Sequence, residues 1–273
     1  MSQPLRYNNL EQITADFKTL LSLPALTQQQ PFQTDNTWLD RFKANAILPQ
    51  TLSYQGNKRL GFYYQWLWQQ LITAHPDYEL VAEEIQLSWN KQTLGAIDFL
   101  VQNKQTNELE HWEVAIKFYL AYQQQWLGPN ANDNLDKKTQ RMVEHQLMLC
   151  DHPAYQQKWQ QEFGAVTTKR LIMQGRLFDS FDGAEMGSPL AINPQVSKGR
   201  WCFKHQAMTL ITQGKIFKHL NKTQWITPPR FNELVESIDL TTLTTPTQAV
   251  DEFNQAWFIV PDHWPLHNKD LLQ

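Results

Sequence analysis

Asp98, Glu113 and Lys117 stand inside two apolar stretches of "GAIDFLVQNKQTNELEHWEVAIKFYL", residues 95–120. A charge placed in a sheet-like segment is costly unless it finds a partner or a task. In a strand over 111–118, Glu113 and Lys117 point to one face with Ala115 between them, and a neighbouring strand over 95–101 brings Asp98 to that face. Two carboxylates and one ammonium suit phosphodiester hydrolysis. Mg²⁺ or Mn²⁺ takes oxygen ligands and keeps several waters, so Asp98 and Glu113 suffice to hold it. The ion makes a bound water more acidic and neutralises phosphate charge. Lys117 would stabilise developing charge or orient the attacking water, and small Ala115 would leave room for the phosphate. The plainer readings are a helical i,i+4 pair for Glu113 and Lys117 and a strand-edge acid for Asp98. The alternation of Trp112, Val114, Ile116, Phe118 and Leu120 with β-branched members favours a strand.

The elements that must position these groups follow from periodicity. Leu10, Ile13, Phe17, Leu20 and Leu21 have helical spacing that stops near Pro24, and "TQQQPFQTDNTW" reads as a polar connector. Leu60, Tyr64, Leu67 and Leu71 form the stripe of the clearest helix, which Pro76 ends, with aromatic residues around it. "YELVAEEIQLSW", "GAIDFLV" and "HWEVAIKFYL" are three strands with short links, a meander. In the first, Val81, Glu83, Ile85, Leu87 and Trp89 share a face; in the second, Ile97, Phe99 and Val101 do. "LDKKTQRMVEHQLML" is a helix that Asp133 or Asn134 can cap, and "AVTTKRLIMQGRLF" is a further strand or strand pair. Beyond about Ser180 loops mix with weaker elements, with a short helix and an apolar strand expected in residues 240–265.

The chain of 273 residues carries 24 Lys and Arg against 27 Asp and Glu, a net charge of −3, which excludes a purely electrostatic nucleic-acid binder but not a local basic groove. Cys150 and Cys202 lack zinc spacing. The first twelve residues contain no apolar signal core, and no apolar run reaches membrane-spanning length. The expectation is a soluble cytoplasmic protein.

Other residues bear on the same chemistry. Glu84 is a candidate additional metal acid, or a solvated sheet residue. Lys137, Lys138 and Arg141 form a basic turn of helix suited to phosphate, or a solvated face. Lys198 and Arg200 in "KGRW" could clamp a phosphate while Trp201 stacks a base, or form a surface turn. His111 lies on the site face and could shuttle protons, or be a satisfied histidine.

Helix, meander, helix and strand in this order, with an Asp on the second strand and an acid followed by Lys on the third, resemble the PD-(D/E)XK nuclease superfamily, the restriction-endonuclease-like fold. "HWEVAIKFYL" and "LGPNANDNLDKKTQRM" further resemble an uncharacterised bacterial family of about this chain length that is grouped with those nucleases. The resemblance implies an α/β fold with a restriction-endonuclease-like core over 58–180, an N-terminal extension over 1–57 and a C-terminal elaboration over 181–273. It implies a Mg-dependent nuclease, acting on DNA ahead of RNA, with Asp98, Glu113 and Glu84 as metal ligands and Lys117 as the catalytic ammonium. It also implies a polar side chain from the second helix, such as Gln146, at the site. The chain departs from the signature where Ala115 occupies the usual lysine position and Lys117 follows two residues late, and Gln65 stands where many members carry an acid. The alternative is a nucleic-acid-binding or protein-interaction module on this fold without catalysis.

Overall fold

Capping and apolar stripes set the first three helices. Asn9 accepts from Glu11 N and Gln12 N to start α1 (Leu10–Leu20). Asp35 accepts from Trp38 N at 2.7 Å to start α2 (Asn36–Asn45). This second helix lies in and beyond the stretch read as a connector; its few apolar residues, Trp38, Leu39 and Phe42, are all buried. In α3 (Leu60–Ala74), Tyr63, Tyr64, Leu67, Trp68, Leu71 and Ile72 are buried, so the helix is covered on more than one side. The structure, a computed structural model, describes residues 9–50 and 53–266. The signal-sequence reading of the N-terminus therefore falls largely outside the described residues. No helix among them is long and apolar enough to cross a membrane.

The expected meander is present as β1 (Tyr78–Trp89), β2 (Gln92–Asn103) and β3 (Glu108–Tyr122), paired antiparallel in that order. A short β4 (Gln125–Leu127) folds back on the end of β3. The loop 128–134 leads into α4 (Leu135–Glu144), which Asn134 caps. The helix stops earlier than its periodicity suggested. His145 leaves helical geometry, and Gln146–Asp151 form a 3₁₀ turn before α5 (Pro153–Lys158) and α6 (Gln160–Phe163). One long strand, β5 (Thr168–Ser180), then runs parallel to β3 over its whole upper length.

The remainder is more regular than its sequence indicated. β6 (Ser197–Phe203), α7 (Lys204–Thr212), β7 (Phe217–Leu220), β8 (Thr247–Asp251) and β9 (Ala256–Val260) extend the same sheet. The apolar strand expected within 240–265 is β9, while the short helix expected there is absent and the stretch supplies a second strand, β8, held between β7 and β9. The nine-stranded mixed sheet has the order β1-β2-β3-β5-β6-β9-β8-β7. α1, α2 and α3 cover one face through a single large cluster that includes Phe17, Trp68, Trp112, Phe118 and Phe258. The other face carries three clusters, beneath α4, beneath the 3₁₀ turn with α5, and beneath α7.

Strand β3 explains why this sheet is central. Trp112, Val114, Ile116, Phe118 and Leu120 all join the first-face core, as the alternation required, and Ala115 and Tyr119 pack on the second face. Full burial of each such side chain is worth about 1.5–3 kcal/mol. A buried polar knot at the start of β3 is structural: Glu110 accepts from Asn103, Trp112 and, in bidentate fashion, Arg170. Alternation fails at two places. Glu84, at φ +48, interrupts β1, so Glu83 turns to α3 and accepts from Gln69 at 2.7 Å while Ile85 faces the second side. In β2, Ile97 packs on the second face and Phe99 on the first, so the pattern breaks at Asp98. β1 itself is a free edge of the sheet.

Candidate active site

The β2–β3 ladder runs from Asn103 paired with Glu108 to Phe99 paired with Trp112, and stops there. One residue further, the acids take over the backbone's role. Val114 N donates to Asp98 Oδ2 at 3.0 Å, and Asp98 N donates to Glu113 Oε1 at 3.3 Å. The strands separate because side chains, not main-chain carbonyls, receive these amides. The two acids expected to converge do so.

Glu113 is 1% exposed and His111 is fully buried. His111 Nε2 and Glu113 Oε1 share a hydrogen bond at 2.7 Å, and the buried Nδ1 of the neutral imidazole has no partner among the described residues. Gln146 and the Asp98 carboxyl also hydrogen-bond Glu113. The break of α4 at His145 makes that reach possible. Gly95 completes it, since a Cβ there would stand 3.1 Å from Gln146 Oε1 at a φ of +154.

Burial dominates the electrostatics. It pushes the Glu113 carboxyl up to about 8. It also drives Asp98 well above the carboxylate range, and the Glu113 charge adds to that rise. It pushes His111 down to about 3. The acid pair therefore retains a proton near neutrality.

A cavity of about 520 Å³ lies against this centre, lined by Lys117, Asp133, Lys137, Lys138, Arg141 and Gln146, with asparagines of the 128–134 loop. Gln146 thus touches both cavity and acid. Lys117 keeps the face of Glu113 but is engaged elsewhere, donating from Nζ to Asp133 Oδ2 at 2.6 Å. Lys138 sits on the sheet side of α4, three residues after buried Leu135 and four before buried Met142. It makes no ion pair or hydrogen bond through its ammonium among the described residues, and its charge bears on both Asp98 and Glu113. Burial and the charge of Lys117 hold the Lys138 ammonium below its usual range, against the pull of the acids.

The remaining candidates divide. Arg141 and Lys138 line the cavity. Glu84 is exposed on β1 and bears on Glu83 and Tyr54, not on the acid pair. Lys198 pairs with Asp179 at 2.9 Å, and Arg200 donates to the Ser180 carbonyl; neither lines the cavity. Trp201 cannot stack on a base, because it is 1% exposed and donates to the Ala121 carbonyl. Ala115 packs into the apolar cluster beside α4 rather than opening onto the cavity. Asp133, read from sequence only as a possible cap, is the partner of Lys117; no spacing rule links a loop acid to a strand lysine.

Two carboxylates plus water satisfy magnesium, although no group of three or more His, Cys, Asp or Glu that could hold a metal occurs among the described residues. No curated protein and no solved structure matches the chain. The model of a family described as a domain of unknown function, DUF1853, matches residues 10–258, and the chain belongs to that family.

Proposed function

We propose that the chain is a phosphodiester hydrolase dependent on a divalent cation and acting on nucleic acid, DNA ahead of RNA. One observation carries the reading: two acids from separating strands converge, and Gln146, which hydrogen-bonds Glu113, joins them to a cavity walled by four cations. The order of α3, the antiparallel β1–β2–β3 meander, α4 and a β5 parallel to β3 supports a restriction-endonuclease-like core within the larger sheet. Fold likeness alone is a weak guide to chemistry, so the argument rests on the site.

Asp98 and Glu113 would hold Mg²⁺ or Mn²⁺, which when bound supplies charge neutralisation and a more acidic water. Around it the chain's own groups have separate tasks. His111 and Gln146 fix the Glu113 carboxyl. Lys137, Lys138 and Arg141 receive the phosphate backbone, while Lys117 is held by Asp133.

A second reading, a nucleic-acid-binding module without catalysis, is favoured by the near-complete burial of Glu113 and by the engagement of Lys117 with Asp133. One experiment separates the two. Labelled single- and double-stranded DNA and RNA are incubated with Mg²⁺ or Mn²⁺ and the wild type, Asp98→Asn or Glu113→Gln. The hydrolase reading expects cleavage by the wild type alone. Equal cleavage by all three assigns the activity elsewhere, and binding without cleavage supports the second reading.

A further inference from the structure

We infer that Lys138, and not the strand lysine Lys117, is the catalytic ammonium that contacts the reacting phosphate. The inference rests on the hydrolase reading above and specifies how that site works. Three observations carry it. Lys117 is committed to Asp133 at 2.6 Å, and Asp133 is fixed in turn by its backbone, whose carbonyl accepts from Gly128 N at 2.8 Å. Lys138 makes no ion pair or hydrogen bond through its ammonium among the described residues, although it is partly buried. It also lines the cavity, and both acids feel its charge.

An unpaired, partly desolvated ammonium is costly to maintain. Lys138 occupies a helix position between Leu135 and Met142 where an apolar residue would pack well. Asp133, Glu113 and Asp98 attract its charge, but none of them hydrogen-bonds the ammonium among the described residues; an anion delivered into the cavity would be its direct partner. In the hydrolysis, water adds across one ester P–O bond: its hydroxyl ends on phosphorus and its hydrogen on the departing oxygen. Lys138 transfers no proton. Its fixed charge opposes the negative charge that grows on the phosphate oxygens, an interaction strengthened by the low polarity around it. Lys117 and Asp133 together form a neutral wall that bounds the cavity.

The test compares full-length wild type, Lys138→Met, Lys138→Gln and Lys117→Met for cleavage of labelled oligonucleotides in Mg²⁺ or Mn²⁺, with kcat and KM separated and melting temperatures measured alongside. Both Lys138 variants are expected to lose about 10²-fold or more in kcat, the loss typical of removing one charge-stabilising group, while melting as high as the wild type or higher. Lys117→Met is expected to keep kcat within about tenfold. Wild-type kcat in the Lys138 variants, or an equal loss in Lys117→Met, would overturn the assignment. So would a marked fall in melting temperature in both Lys138 variants, which would show a structural role. Cleavage that needs Asp98 and Glu113 but not Lys138 would sink this inference and leave the hydrolase reading intact. Absence of cleavage by the wild type on every substrate and ion would sink both.

Discussion

Glu113→Gln in the metal-free protein should change how stability depends on pH, in a direction the site dictates. The folded Glu113 binds its proton up to about pH 8, against 4.5 for the free side chain. Between those values the folded state therefore holds a proton that the unfolded chain releases, and stability falls as pH rises. His111 acts oppositely: its folded value near 3 lies below the free value of 6.5, so between those limits stability rises with pH. The two slopes offset each other below pH 6.5. From pH 6.5 to 8 the carboxyl slope stands without His111, at about 1.4 kcal/mol per pH unit for one proton, or about 2 kcal/mol across the window. Denaturant midpoints in EDTA at half-unit steps from pH 6 to 8.5 measure it. The wild type should lose stability through this window. Glu113→Gln keeps the shape, removes the titration and relieves Asp98 of a neighbouring charge, so its profile should be markedly flatter. Parallel profiles for the two proteins would refute the account of Glu113 as a buried, proton-bearing acid.

Four further outcomes follow from the same geometry. Mn²⁺ at pH 8 should raise the melting temperature of the wild type, by the linkage between ligand binding and stability, and should leave Asp98→Asn/Glu113→Gln unmoved in the same thermal scan. Gly175→Ala should destabilise by about 2 kcal/mol or more, because Gly175 sits at φ +149 and a Cβ would overlap the Lys117 carbonyl oxygen; urea unfolding reads this. Glu110→Ala should cost about 3–5 kcal/mol by the same measurement, since it strands the half-buried Arg170 beside Trp38. Asp133→Asn should cost less than about 1 kcal/mol, because the Lys117 pair is partly exposed, yet should tighten oligonucleotide binding measured by anisotropy at low salt.

What could be read from the sequence, and what could not, divides along physical lines. Strand β3 declares itself because one face is wholly apolar and the other mixed, a contrast only a period of two explains. Asp98 and Glu113 follow from it, since their strands are adjacent in the chain. α2 does not declare itself, because three apolar residues in a polar helix are too few to set a period, although all three are buried. The short helix expected somewhere in 240–265 is absent because that stretch pairs into the sheet as β8 and β9. The choice between Lys117 and Lys138 is not a matter of spacing at all. It depends on a loop acid reaching back across the sheet, and on a helix break at His145 that helical periodicity through residue 149 conceals. Trp201 teaches the converse: an exposed-looking "KGRW" conceals a core residue, because Lys198 and Arg200 point away from the face that buries the indole.

The free edge at β1 has a bearing on how the protein behaves in concentrated solution. A strand of twelve residues with open amides and carbonyls invites a second copy to pair with it. Glu79, Glu83 and Glu84 are exposed along it, and the left-handed turn of the chain at Glu84 bends the row of hydrogen-bonding groups out of line. Together they make copy-to-copy sheet growth unfavourable while the three glutamates are ionised. That protection weakens in acid, where neutral side chains no longer repel, so the same edge that keeps copies apart at neutral pH becomes the place where fibre-like association would begin.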